Sequence, residues 1–146
     1  MIVLETLVRI DRPVDEVFAY LSEPLNFPRW NSAVHAVRKV SADEPGTGST
    51  YLMERQLPVG RVVNELEVTM TRSPEFAIRT TSGPTPFEYR YRVSSENGAT
   101  VVRLDAEVEL GRVGVLGTLA RKTVRNGVDV NLATLKRILE GRAPSS

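Results

Sequence analysis

Between Val34 and Leu110 the chain alternates apolar and polar residues with a period of two, in runs over 34–40, 49–57, 61–72, 75–81, 86–95 and 99–110. That period sends successive side chains to opposite faces of a strand. The separators are turn-formers: ADEPGTG, LPVG, SP, SGPTP and ENG. Asn97-Gly98 is the strongest hairpin signal among them, because both residues tolerate positive φ. Strands joined by links this short predict an antiparallel meander. Such a sheet has one apolar face, and the rest of the chain has to cover it.

Parity separates the two faces. Asn64, Leu66, Val68, Met70, Phe76, Ile78, Phe87, Tyr89, Tyr91, Val93, Val102, Leu104, Ala106 and Val108 share one phase and predict the inner face. Glu65, Glu67, Arg79, Glu88, Arg90, Arg92, Arg103, Asp105, Glu107 and Glu109 mostly hold the other. Opposite signs on neighbouring strands pair favourably on a wet face.

The flanks supply a strand and the cover. Residues 2–10 alternate with Leu4, Thr6, Val8 and Ile10 on one side. Pro13 then opens a helix whose apolar face is Val14, Val17, Phe18 and Leu21, and Pro24 stops it. Leu25–Trp30 predicts a second short helix or turn, interrupted by Pro28. The long helical segment is 115–140. On it Leu116, Ala120, Val124, Val128, Leu135 and Ile138 form a stripe, with Thr123, Gly127 and Asn131 on or beside it. Arg121, Lys122, Arg125, Lys136 and Arg137 form the wet face, Gly141 caps, and the APSS tail is loose.

Composition narrows the function classes. A chain of 146 residues suits one domain, 1–146, with an ordered core over about 2–140. A net charge of +1 and no basic-aromatic interleaving argue against nucleic acid. The absence of cysteine excludes disulfides and zinc–thiolate sites. The opening MIVLETLVRIDRP carries charges within its apolar run and reads as a strand, and no run approaches a membrane span. The expectation is a cytoplasmic protein, monomer or homodimer, with no metal and no cofactor.

Several stretches together resemble a known superfamily. VRIDRPVDEVFAYLSEPLNFPRWNSAV resembles the opening of the START-like SRPBCC superfamily, PGTGSTY its glycine turn into the third strand, and ENGATVVRL its last hairpin. The chain looks most like polyketide cyclase/dehydrase and lipid transport type members. The resemblance implies an α+β helix-grip fold: a seven-stranded curved antiparallel sheet wrapped around a long C-terminal helix, with two short helices after strand 1. It also implies a cavity for a hydrophobic small molecule.

The residues that would line such a cavity follow from parity. Tyr51, Met53 and Arg55 share a phase in YLMER, and Asn64, Leu66, Phe87, Tyr89, Tyr91 and Leu104 lie on the inner face. Ala120, Val124 and Asn131 face them from the long helix. These are the candidate ligand-binding residues. An inward Arg55 needs a partner, which a ligand carboxylate or enolate can supply; alternatively it snorkels at the rim. Asn64 and Asn131 need hydrogen-bond partners, with water the simplest. Arg55, Tyr89 and Tyr91 are the leading catalytic candidates, with His35 as a lesser one in a general acid/base role. Trp30 either stacks on a ligand or plugs a joint between helices and sheet, with Asn31 bonding a turn. His35 sits beside Val34 and Ala36 and points to water if they point inward. Three functions follow: a carrier or sensor of a polyketide-like or lipid-like molecule, a cyclase/dehydratase-type enzyme, and a protein-partner module.

Overall fold

The computed structural model describes residues 1–57, 60–109 and 117–142. The elements run β1 (Ile2–Ile10), α1 (Val14–Leu21), a 3-10 turn (Pro24–Asn26), α2 (Phe27–Trp30), β2 (Val34–Lys39), β3 (Thr50–Leu57), β4 (Gly60–Arg72), β5 (Glu75–Ser82), β6 (Phe87–Glu96), β7 (Ala99–Val108) and α3 (Gly117–Glu140). This is the helix-grip arrangement: one seven-stranded antiparallel sheet in the order β1-β7-β6-β5-β4-β3-β2, curved around the long helix. β1 pairs with the last strand, Leu4 opposite Ala106 and Val8 opposite Val102. The chain then reaches the opposite edge through α1 and α2, which pack on β6 and β2 respectively. Pro28 lies within the first turn of α2, where no intrahelical N–H is lost, so it does not interrupt the helix.

Register shifts bend the sheet at β2 (Val34/Ala36) and twice along β4 and β5 (Glu65/Leu66 and Val68/Met70). Each adds one residue to one strand and increases local twist. The second shift in β4 corrects one parity assignment. Thr69 is the extra residue, so Met70 faces outward and is exposed. The other inner-face residues hold their side, from Leu66 and Phe76 to Leu104 and Val108.

The two halves of α3 differ. Val128, Leu132, Leu135 and Leu139 are buried in the core, whereas Ile138 is half-buried. Parity along the helix therefore favours Leu132 and Leu139 over Ile138 in the lower stripe. Leu116 and the glycines at 111 and 114 lie outside the described residues, as does the APSS tail. Arg121, Lys122 and Arg137 are exposed. Arg125 and Lys136 are half-buried instead, because they reach back to β1: Arg125 Nη1 donates to the Glu5 carbonyl (3.2 Å) and Lys136 Nζ to that of Arg9 (2.7 Å). These contacts occupy carbonyls along β1, an edge strand whose free backbone would otherwise invite pairing with another chain.

On the outer face, Arg79 pairs with Glu67 across β5 and β4, and Arg92 with Glu75 across β6 and β5. Glu88–Arg90 forms along one strand instead. Between β2 and β3, Asp43 accepts from Ser41, Ser49 and Lys39, which hold its carboxyl well below the usual carboxylate range. A carboxyl depressed by folding contributes stability that is complete above its unfolded pKa of about 4 and is lost as pH falls. The melting temperature should therefore drop on acidification below about pH 4, and drop less in Asp43→Asn. Parallel thermal melts of the two proteins from neutral pH downward check this; identical acid slopes would remove Asp43 from the account.

Candidate functional site

The site is a cavity of about 580 Å³ between the inner face of the sheet and the first half of α3. Its existence follows from side-chain size. Where α3 carries leucines at 132, 135 and 139 it seats onto the core. Where it carries Ala120, Thr123, Val124 and Gly127, the side chains are too short to fill the same space, and these four line the cavity. A Cβ added at Gly127 would meet nothing within 4 Å, so the missing side chain widens the void and relieves no clash.

The sheet contributes an aromatic row. Phe87, Tyr89 and Tyr91 occupy alternate positions of β6, and their ring centroids are 4.8 and 6.3 Å apart. Tyr91 meets Trp30 edge-on at 6.2 Å and stacks on Phe76 at 6.1 Å. Trp30 also meets Phe27 edge-on at 5.8 Å. Trp30 therefore packs the joint between α2 and the sheet and at the same time forms a cavity wall. Its Nε1 is buried with no hydrogen-bond partner among the described residues. At the other end of the row Arg55 lies over the Phe87 ring, 5.1 Å from its centroid. Phe87 and Tyr91, the two ends of the row, are four residue steps apart along β6, about 13 Å.

Arg55 points inward and is held in place. Its Nε donates to Asn64 Oδ1 (2.9 Å), and one Nη donates to the carbonyls of Pro84 (3.0 Å) and Thr85 (3.1 Å). Asn64, fully buried, returns its amide to Ser82 (3.2 Å) and Pro84 (2.9 Å). The β5–β6 turn is thus tied to the floor of β4. Gly83 makes this approach possible: at φ +99° a Cβ there would stand 2.5 Å from the Val63 carbonyl. Thr85 adopts φ 54°, unusual for a β-branched residue. The remaining Nη of Arg55 has no partner, and no carboxylate pairs with the guanidinium, among the described residues.

Electrostatics follow from the low polarity of the walls. Burial lowers the Arg55 pKa, though a guanidinium stays charged in any protein. Burial raises the Tyr89 pKa, opposed by the Arg55 charge, and raises that of Tyr91 well above its ordinary value. Both phenols are therefore neutral hydrogen-bond donors at physiological pH.

Of the residues expected at the site, Met53, Arg55, Phe87, Tyr89 and Tyr91 line the cavity from the sheet. Ala120, Val124 and Asn131 line it from α3. Tyr51, Leu66 and Leu104 do not. They face inward but lie in the packed core, where inward direction does not mean contact with the void. Asn64 does not line it either: it is the post that orients Arg55. Asn131 bonds the protein itself, its Oδ1 accepting from Ser32 N–H (3.2 Å). Asn31 bonds its turn through Ala33 N–H (3.1 Å) and also lines the cavity. Ile78, Val108 and Val128 are legible in the sequence as inward residues but not as cavity walls. Thr85 and Leu119 carry no signal in the sequence, since the first lies in a turn and the second is mostly exposed at the mouth. His35 is the extra residue of the β2 bulge and is exposed, away from this chemistry.

Comparison with known proteins agrees with this architecture. The family model described as polyketide cyclase/dehydrase and lipid transport matches residues 1–140. No curated protein matches the chain. Among solved structures, a START superfamily protein from Mycobacterium smegmatis superposes with TM-score 0.81 at 14% identity, covering 94% of this chain and 97% of its own. A protein from Thermus thermophilus gives 0.73 at 18% identity, with 94% of each chain covered. The major latex-like protein 151 of Panax ginseng gives 0.73 at 10%, covering 94% and 96%. Identities this low speak to the fold, and the family match speaks to descent: the chain belongs to the polyketide cyclase/dehydrase and lipid transport family of the START-like SRPBCC superfamily.

Proposed function

We propose that the protein binds a largely apolar small molecule bearing a carboxylate or enolate, as a carrier or sensor, with the anion on Arg55. The observation that carries this reading is a fixed guanidinium in a mostly apolar cavity with no counter-charge among the described residues. Arg55 is half-buried, so its charge is only partly solvated, and a ligand anion adds charge-assisted hydrogen bonds that water supplies less well there. Water in the liquid occupies about 30 Å³, so the void suits a ligand on the order of twenty non-hydrogen atoms. Burying about 300 Å² of its apolar surface contributes roughly 7 kcal/mol before the losses of association. Phe87, Tyr89, Tyr91 and Val124 supply the apolar contact.

Displacement of an environment-sensitive hydrophobic fluorophore tests this. Palmitate should displace the probe at about tenfold lower concentration than hexadecanol, which matches its chain but lacks the charge. Equal potency would remove the anion from the reading. Failure of any apolar probe to bind would remove the cavity.

A second reading, a cyclase/dehydratase-type enzyme, is favoured by one feature: the Tyr89 phenol lies within electrostatic reach of Arg55. A neutral donor beside a guanidinium suits enolate stabilisation. Among the described lining residues, however, none is a carboxylate or imidazole that would serve as a base, which is why binding stands first.

A further inference from the structure

Asn31 and Asn131 offer the cavity spare hydrogen-bonding capacity of one kind, donors only. An amide oxygen alone can accept from a peptide N–H, so the bonds from Ser32 and Ala33 fix how Asn131 and Asn31 are turned. Each has its oxygen occupied and its NH₂ without a partner among the described residues. Both side chains line the cavity, and both are anchored on consecutive peptide groups, whose Cα atoms are about 3.8 Å apart. Two amide donors thus start from neighbouring points, one on the loop after α2 and one on α3. Neither contacts the Arg55 network.

The geometry points to a second polar subsite, formed by the amide groups of Asn31 and Asn131, that takes a neutral carbonyl oxygen of the ligand. A carbonyl has two lone pairs and accepts two donors at once, whereas an ammonium or a bare alkyl chain satisfies neither amide. This rests on the reading of the cavity as an anion-binding site and narrows it. The ligand is an apolar acid carrying a ketone or ester partway along its chain, not a plain fatty acid.

Calorimetric titration of the intact protein with palmitic acid and with a series of oxo-palmitic acids, the ketone moved stepwise along the chain, tests the subsite. At least one isomer should bind about tenfold more tightly than palmitate, since only a carbonyl at the right position reaches both amides. Asn131→Asp and Asn31→Asp each keep an oxygen for the loop N–H and remove the NH₂. Both should retain the wild-type melting temperature within a few degrees and abolish the preference for the oxo acid. Equal binding of palmitate and every oxo acid to the wild type overturns the subsite and leaves the anion site standing. A preference that persists in both variants overturns its assignment to these residues. If neither palmitate nor any oxo acid binds the wild type, the underlying reading of the cavity falls, and the subsite with it.

Discussion

Asn64→Leu should lower the unfolding free energy by about 3–5 kcal/mol, the upper range for a single substitution. The two side chains are close in volume, so the loss does not come from a cavity. It comes from three broken hydrogen bonds at a fully buried position. Arg55 Nε loses its acceptor, and the carbonyls of Ser82 and Pro84 lose their donor from Asn64. A buried polar group left unpaired costs about 1–3 kcal/mol, more when charged. Urea denaturation of the two proteins measures the difference. A loss below about 1 kcal/mol would mean that water replaces the amide and that Asn64 is not the post of this turn.

Arg55→Met should weaken binding of an apolar carboxylate by about tenfold to a hundredfold, the range expected for hydrogen bonds to a charged group. Affinity for the matching alcohol should change little, because methionine keeps the apolar stem against Phe87. Arg55→Lys should restore only part of the affinity. An ammonium carries the charge, but lacks the planar fork that bonds Asn64 and the Pro84 and Thr85 carbonyls while leaving one arm for the ligand. Fluorophore displacement by palmitate and hexadecanol across the three proteins reads both effects. Parallel losses for acid and alcohol would show that Arg55 only shapes the cavity.

Much of the fold is legible in the sequence because a meander announces itself locally. Alternation, turn residues and a proline-opened helix are each set by a few neighbouring residues, and all six strands after the first helices lie where the alternation places them. The failures occur where one extra residue changes the phase. Parity puts Met70 inward because nothing in VTMTR marks Thr69 as a bulge. For the same reason the alternation leaves His35 undecided, and its bulge turns it out to solvent.

The site is legible in direction but not in depth. Parity places Tyr89 and Tyr91 on the inner face and leaves Arg55 between that face and the rim, and all three line the cavity; it places Tyr51, Leu66 and Leu104 inward equally, and they lie in solid core. Period-two patterning reports which face a side chain joins, not whether the opposing element touches it. That depends on how closely α3 approaches, which its own small residues decide only in combination with the sheet's curvature. The division between Arg55 and Asn64 is the clearest case. Local pattern suffices for the meander, its covering helix and an amide on the apolar side, and it leaves the guanidinium between that side and the rim. That the amide is spent on the 82–85 turn, and that the guanidinium points inward with one arm free among the described residues, follows from the folded chain alone. Hydrogen-bond partners here are 9 to 30 residues apart in the chain, and no local pattern encodes which of them meet.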